Sequence, residues 1–168
     1  MRIVSELGDL ENIEVYPNKK ITKDFTEFKT EIGLKCIVNI SDIKKNDYGY
    51  KLLKVDDLNL ENIKNVGYNI NGNESQYKKT NFKELIKILK TVSDIVINNI
   101  KNDASIDGLV FVAANKDEKK ILARTDPQKD KLYKTIVVKS MANLPGNWKL
   151  KDFELAPNFN GFMIYKEK

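Results

Sequence analysis

The sequence predicts an α+β domain: an antiparallel meander of strands, a long helix, a central strand, a second helix and a C-terminal hairpin. Three observations lead there. Leu34, Cys36, Val38 and Ile40 alternate with Lys35, Ile37 and Asn39, the period of two that a half-buried strand requires. Phe82, Leu85, Ile86, Leu89, Val92, Val96 and Ile100 recur every three or four residues, the stripe of an amphipathic helix. Leu109 to Ala114 is apolar throughout, as suits a strand covered on both faces.

Taken in order, residues 1–33 carry weak periodicity and are expected to form an N-terminal arm packed on the body, with 34–168 as the single domain. Within the arm, Pro17-Asn18-Lys19-Lys20 suits a loop, and Phe25, Phe28 and Ile32 stand at spacings that suit a turn or two of helix. After the strand at 34–40, the polar turn Lys44 to Asp47 leads to a second alternation at Tyr48, Tyr50 and Leu52. Val66 to Ile70 is the third strand of the meander. Asn81 is placed to cap the long helix, with Glu84 three residues later as in a capping box. Asn102-Asp103 ends it. Asp126-Pro127 starts the second helix, aspartate as cap and proline at the first helical position. Its inner face is Leu132, Tyr133, Ile136, Val137 and Met141, and Leu144-Pro145-Gly146-Asn147 stops it. Trp148 to Leu155 and Phe162 to Tyr165 then form the hairpin.

Composition narrows the chemistry. The 168 residues fit one domain, 41% hydrophobic and 32% charged, a globular mixture that needs no metal or disulfide to fold. There is no histidine, which removes Ser-His-Asp and Cys-His devices, most zinc sites and the commonest general base. The lone Cys36 falls in the alternating strand and reads as a core thiol of a reducing compartment. The apolar runs are too short to span a bilayer, and residues 1–6 turn acidic too early for a signal peptide. No membrane association is expected. The net charge of +5 comes almost wholly from lysine; Arg2 and Arg124 are the only arginines. Such a surface suits solubility or weak, non-specific contact with nucleic acid. The abundance of Lys, Asn and Ile is that of an AT-rich coding sequence.

The element order resembles the acetyltransferase fold of the GNAT superfamily over residues 34–168, a mixed sheet with helices. Leu132-Tyr133 is similar to the leucine–tyrosine pair that this family often carries on its second helix. The resemblance implies an N-acetyltransferase in which Tyr133 is the general acid that protonates the departing coenzyme A thiolate. Backbone N–H groups near residues 77–83, with Tyr77, Lys78 and Lys79, would then face the pyrophosphate. The family's Q/R-x-x-G-x-G/A loop is missing: Gly72 is the only glycine of Gly72 to Thr80, and Glu74 would repel a phosphate. The stretch 82–140 is also similar to small uncharacterised proteins of tailed bacteriophages. The matching residues are Val110-Phe111-Val112-Ala113, then Lys129-Asp130-Lys131-Leu132-Tyr133-Lys134. That resemblance implies a virion-associated or accessory component.

Each remaining feature has a plain structural explanation beside the functional one. Tyr133 satisfies packing on an apolar helix face without any chemistry. Asp56-Asp57 and Asp117-Glu118 are solvated pairs rather than shared-proton dyads, since neighbours on a strand point to opposite faces; no metal site is expected. Lys116, Lys119, Lys120, Arg124, Lys129, Lys131 and Lys134 form the one basic cluster, a solvated face or a weak polyanion patch. Trp148, Phe159 and Phe162 are candidate interface aromatics. The expectation is therefore a non-enzymatic bacteriophage protein without cofactor, in the virion or the host cytoplasm, whose partners are other proteins, above all virion components. An atypical acetyltransferase is the first alternative. An accessory protein that binds a host factor is the second.

Overall fold

The structure, a computed structural model, describes residues 12–43, 62–112, 129–156 and 159–167. Its strands are β1 (Asn18–Lys20), β2 (Phe25–Lys29), β3 (Lys35–Asp42), β4 (Ile63–Asn71), β5 (Gly108–Val112), β6 (Trp148–Ala156) and β7 (Phe159–Lys166). Its helices are α1 (Glu74–Lys79), α2 (Phe82–Asn102) and α3 (Lys129–Ser140), the last followed by a 3-10 turn at Met141–Asn143. One seven-stranded sheet runs in the order β1-β2-β3-β4-β5-β7-β6. Every neighbouring pair is antiparallel except β4 and β5, which run parallel. A parallel pair needs a crossover connection, and the segment carrying α1 and α2 supplies it. The predicted order of meander, long helix, central strand, helix and hairpin is the observed one.

The long helix begins and ends where its sequence predicts, though only the Asn81 half of the expected capping box forms. Asn81 is extended, and its side-chain oxygen accepts a 2.8 Å hydrogen bond from the Glu84 N–H. That bond satisfies one of the amides that the first turn leaves open. Asn81→Ala is expected to destabilise the protein by about 1 kcal/mol, read as a lowered urea midpoint. A midpoint unchanged from wild type would mean that the cap contributes nothing. Leu85, Ile86, Ile88, Leu89, Val92, Val96 and Ile100 are all buried. They meet Cys36, Val38, Val66, Ile70, Leu109, Phe111, Phe162 and Ile164 of the sheet, together with Leu132, Tyr133, Ile136 and Val137 of α3. Ser93 donates to Ser140 at 3.0 Å and Ser140 to the Ile136 carbonyl at 2.8 Å, so this polar seam between α2 and α3 is internally satisfied.

β5 is buried on both faces, as its unbroken apolar run requires. Leu109 and Phe111 belong to the core under the helices, whereas Val110, with Ile63 and Met163, is buried on the opposite face. Among the described residues, neither α2 nor α3 packs on this second face.

The arm differs from its prediction. Phe25, Phe28 and Ile32 match a helical spacing, yet residues 25–29 are the strand β2, and part of the predicted loop at 17–20 is β1. The reason is a weak period of two within the same residues. Thr26 and Phe28 turn inward, while Phe25 and Lys29 are exposed, and Thr22 closes the hairpin by accepting from the Phe25 N–H at 3.2 Å. The meander is thus β1 to β4, with Asp42 of β3 directly opposite Lys64 of β4. The predicted strand at Tyr48–Leu52 lies outside the described residues. Tyr16 docks the arm on α2. Its ring stacks on Phe28 at 5.8 Å, Lys87 lies 4.3 Å over it, and its N–H donates to Thr91 at 3.1 Å.

Candidate functional site

The start of α2 is where an acetyltransferase would hold pyrophosphate. Two obstacles stand there. The loop's one glycine, Gly72, is closed by its own chain: a Cβ at this position would collide with Leu34 Cδ2 and lie 2.7 Å from Gln76 Oε1. Gln76 is pinned from three sides. It donates to the Ile32 carbonyl at 3.1 Å, accepts from Asn73 N–H at 2.8 Å, and its own N–H donates to Asn73 Oδ1 at 2.9 Å. The second obstacle is charge. Burial and the nearby Glu31 carboxylate push the Glu84 carboxyl above its ordinary range, Lys87 opposing them. A first turn that already carries crowded carboxylates and an asparagine cap is a poor seat for a phosphate.

Tyr77, Lys78 and Lys79 lie on the short α1. Lys78 is 3.7 Å from Glu74 one turn earlier, both largely exposed, so this cation is already matched by a carboxylate. The side chain of Tyr77 lies outside the described residues.

Tyr133 comes from α3 and sits over the point where β4 and β5 run side by side. Its ring stands edge-on to Tyr68 of β4 at 5.2 Å, Phe111 of β5 at 5.9 Å and Phe162 of β7 at 6.1 Å. Phe111 and Phe162 stack face to face at 4.6 Å. Edge-to-face and offset-stacked pairs are the favoured arrangements of aromatic rings, and the cluster is buried apart from Tyr68, which is half-buried.

The other expected sites disperse. Phe162, expected at an interface, is instead part of this core, because the β5–β7 register sets it directly opposite Phe111. Trp148 is half-buried, and its indole N–H donates to the Pro145 carbonyl at 3.1 Å. The side chain of Phe159 lies outside the described residues. Of the basic cluster, Lys116, Lys119, Lys120 and Arg124 lie outside them as well, as do Asp56-Asp57 and Asp117-Glu118, and of Lys129 and Lys131 only the backbone is described. Lys134 is bound to Asp152 of β6 through both carboxylate oxygens, at 2.6 and 2.8 Å. Cys36 is fully buried, and burial pushes its thiol up to about 12, the state of an inert core residue. Among the described residues no group of three or more His, Cys, Asp or Glu could hold a metal ion. Among them too, no helix is long and apolar enough to cross a membrane.

A different constellation appears on the sheet face opposite α2 and α3. The strand register sets Phe25 opposite Asn39, and Asn39 opposite Gly67, a row across β2, β3 and β4. The next row sets Ser41 opposite Asn65. The side-chain oxygens of Asn39 and Asn65 are buried without a hydrogen-bond partner. A Cβ built on Gly67 meets nothing within 4 Å. Phe25 is 41% exposed. Sequence reasoning passed over this group because asparagine or glycine on a strand's outer side is unremarkable alone; only the register brings the residues together. Matched against protein-family models, curated proteins and solved structures, the chain gives no match in any of the three.

Proposed function

We propose that this chain is a non-enzymatic protein that acts through contacts with other proteins, a bacteriophage virion component by preference. The observation that carries the proposal is the closed start of α2. Gly72 is filled by Leu34 and Gln76, and Glu84 and Glu31 bring negative charge where coenzyme A would need the opposite. A fold supports many functions, and an activity has to be argued from its site. Without a phosphate seat or histidine, the acetyltransferase element order serves as a scaffold. The phage assignment rests on the likeness of Val110 to Ala113 and of Lys129 to Lys134 to small phage proteins.

One observation favours the acetyltransferase alternative: Tyr133 lies over the β4–β5 pair, touching an aromatic residue of each. Calorimetric titration with acetyl-CoA, with CoA as control, separates the two. No saturable heat is expected up to millimolar ligand. Saturable one-to-one binding would overturn the proposal and make Tyr133 the first residue to replace. A virion component is further expected in purified particles by mass spectrometry. Its absence from particles, with capture by a host protein, would favour the accessory alternative.

A further inference from the structure

We infer that the end of the β1–β2 hairpin docks on an anionic lipid surface, with Ile21 and Phe25 set among the headgroups and a band of lysines behind them. This inference goes beyond the function proposed above and does not depend on it.

The hairpin register builds the contact. Lys19 lies opposite Glu27 and Lys20 opposite Thr26. Ile21 extends that pairing by donating its N–H to the Phe25 carbonyl at 2.8 Å. Thr26 and Phe28 turn into the core, so Phe25, Glu27 and Lys29 face the other way, with Ile21 beside Phe25 and Lys19 beside Glu27. On β3, Lys35 lies opposite Lys29 and Ile37 opposite Glu27. Ile21 is 50% and Phe25 41% exposed, two of the few large apolar side chains left so open among the described residues. They stand side by side at the end of a hairpin on the edge of the sheet. Residues two apart on a strand are separated by about 7 Å, which puts Lys19 about 7 Å behind Ile21 and Lys29 about 13 Å behind Phe25. An interfacial contact buries its apolar side chains by about 5–10 Å. Lys19 then falls at headgroup level, its stem along the apolar surface and its ammonium among the phosphates.

The charges on this face suit such a surface. Lys19, Lys29 and Lys35 share it with one carboxylate, Glu27, which Lys35 holds at 3.3 Å. Lys19 and Lys29 form no ion pair among the described residues. Asp24, the carboxylate of the turn, borders a cleft at the end of α2 that it shares with Lys20, Lys23, Lys64 and Asp103. The residue types select the partner. Arginine is enriched and lysine depleted in protein–protein interfaces, and every cation here is lysine. A single-stranded nucleic acid stacks on successive aromatic rings, and Phe25 is the only ring of the hairpin end. An anionic bilayer needs neither feature: it attracts each lysine near its surface as a point charge, and it receives Ile21 and Phe25 without a shaped pocket. Such a contact needs no long apolar run, and the shortness of those runs is the ground on which the sequence reading excludes a membrane.

The test is cosedimentation of the full chain with phosphatidylcholine vesicles, made with and without phosphatidylglycerol. Binding to the phosphatidylglycerol vesicles is expected, with little to phosphatidylcholine alone. Release is expected in about 1 M salt, where the screening length falls to about 3 Å. The double variants Ile21→Ser with Phe25→Ser, and Lys19→Glu with Lys29→Glu, should each weaken binding about tenfold. All four side chains are exposed, so both variants should fold, which their thermal transitions check. If the serine variant does not fold, the glutamate variant decides under the same criterion. No sedimentation with phosphatidylglycerol vesicles overturns the inference and leaves the face to a protein partner. So does equal binding to both kinds of vesicle, or binding that a folded variant leaves unchanged.

Discussion

Replacing Phe111 by alanine is expected to destabilise the protein by about 3–5 kcal/mol, the range for deleting a buried aromatic ring from a core. The size follows from its position. Phe111 is 3% exposed and lies on β5, the strand that joins β1–β4 to the β6–β7 hairpin. Its ring stacks on Phe162 with an interplanar angle of 7° and meets the edge of Tyr133. Truncation would therefore leave a void under two other rings, on two different elements that cannot both move in to fill it. Urea denaturation gives the measurement. At an m-value near 2 kcal/mol/M, the midpoint should fall by roughly 1.5–2.5 M. Phe25→Ala is the internal comparison: that side chain is 41% exposed and outside the aromatic cluster, so its loss should cost far less than that of Phe111. If Phe111→Ala lost less than about 1 kcal/mol, the aromatic cluster would not be the close-packed junction that its geometry describes.

The contrast between these two phenylalanines also shows how far the sequence could be read. Phe111 sits in an unbroken apolar run, and burial on both faces is the only arrangement that such a run permits. The α2 helix was equally legible, since its cap, its stripe and its stop all lie within one stretch of chain. Phe25 was not. Its spacing to Phe28 and Ile32 suits a helix, and the competing strand period rests on Thr26 and Phe28 alone, over five residues. A strand that short is decided by the partner it pairs with, and β3 is ten residues further on. The row of Phe25, Asn39 and Gly67 was hidden for a similar reason. Asn39 and Gly67 are 28 positions apart, and Phe25 lies on a third strand, so no local pattern relates them. The closed start of α2 was half visible. The sequence exposes the missing glycines and Glu74, but the filling of Gly72 by Leu34 depends on how the β2–β3 turn meets α1.

Raising the pH from 9 to 12 is expected to remove up to about 4 kcal/mol of stability through one group, the Cys36 thiol. Burial pushes this thiol from 9.0 to about 12 in the folded chain, and each pH unit of such a difference is worth about 1.4 kcal/mol. The sign follows from proton counting. Below pH 9 the thiol is protonated in both states, and the contribution is fully present. Between pH 9 and about 12 the unfolded chain has released the proton while the folded chain still holds it, so stability falls as pH rises. Above about 12 both states are ionised and the loss is complete. Tyr16 acts with the same sign over a narrower window, from 10.0 to about 12, through its burial first and then Glu84 and Glu31. The interval from pH 9 to 10 therefore isolates the thiol. There the wild-type protein should lose about 1 kcal/mol, and Cys36→Ala, though less stable at neutral pH, should lose far less. A thiol reagent should find Cys36 unreactive at pH 8 and reactive once urea unfolds the chain. Equal losses in both proteins over that interval, or rapid labelling of the folded chain, would place the thiol at the surface. The β2–β3–β4 register would then have to be redrawn, because Cys36 pairs with Phe28 and Ile70 on the same inward face.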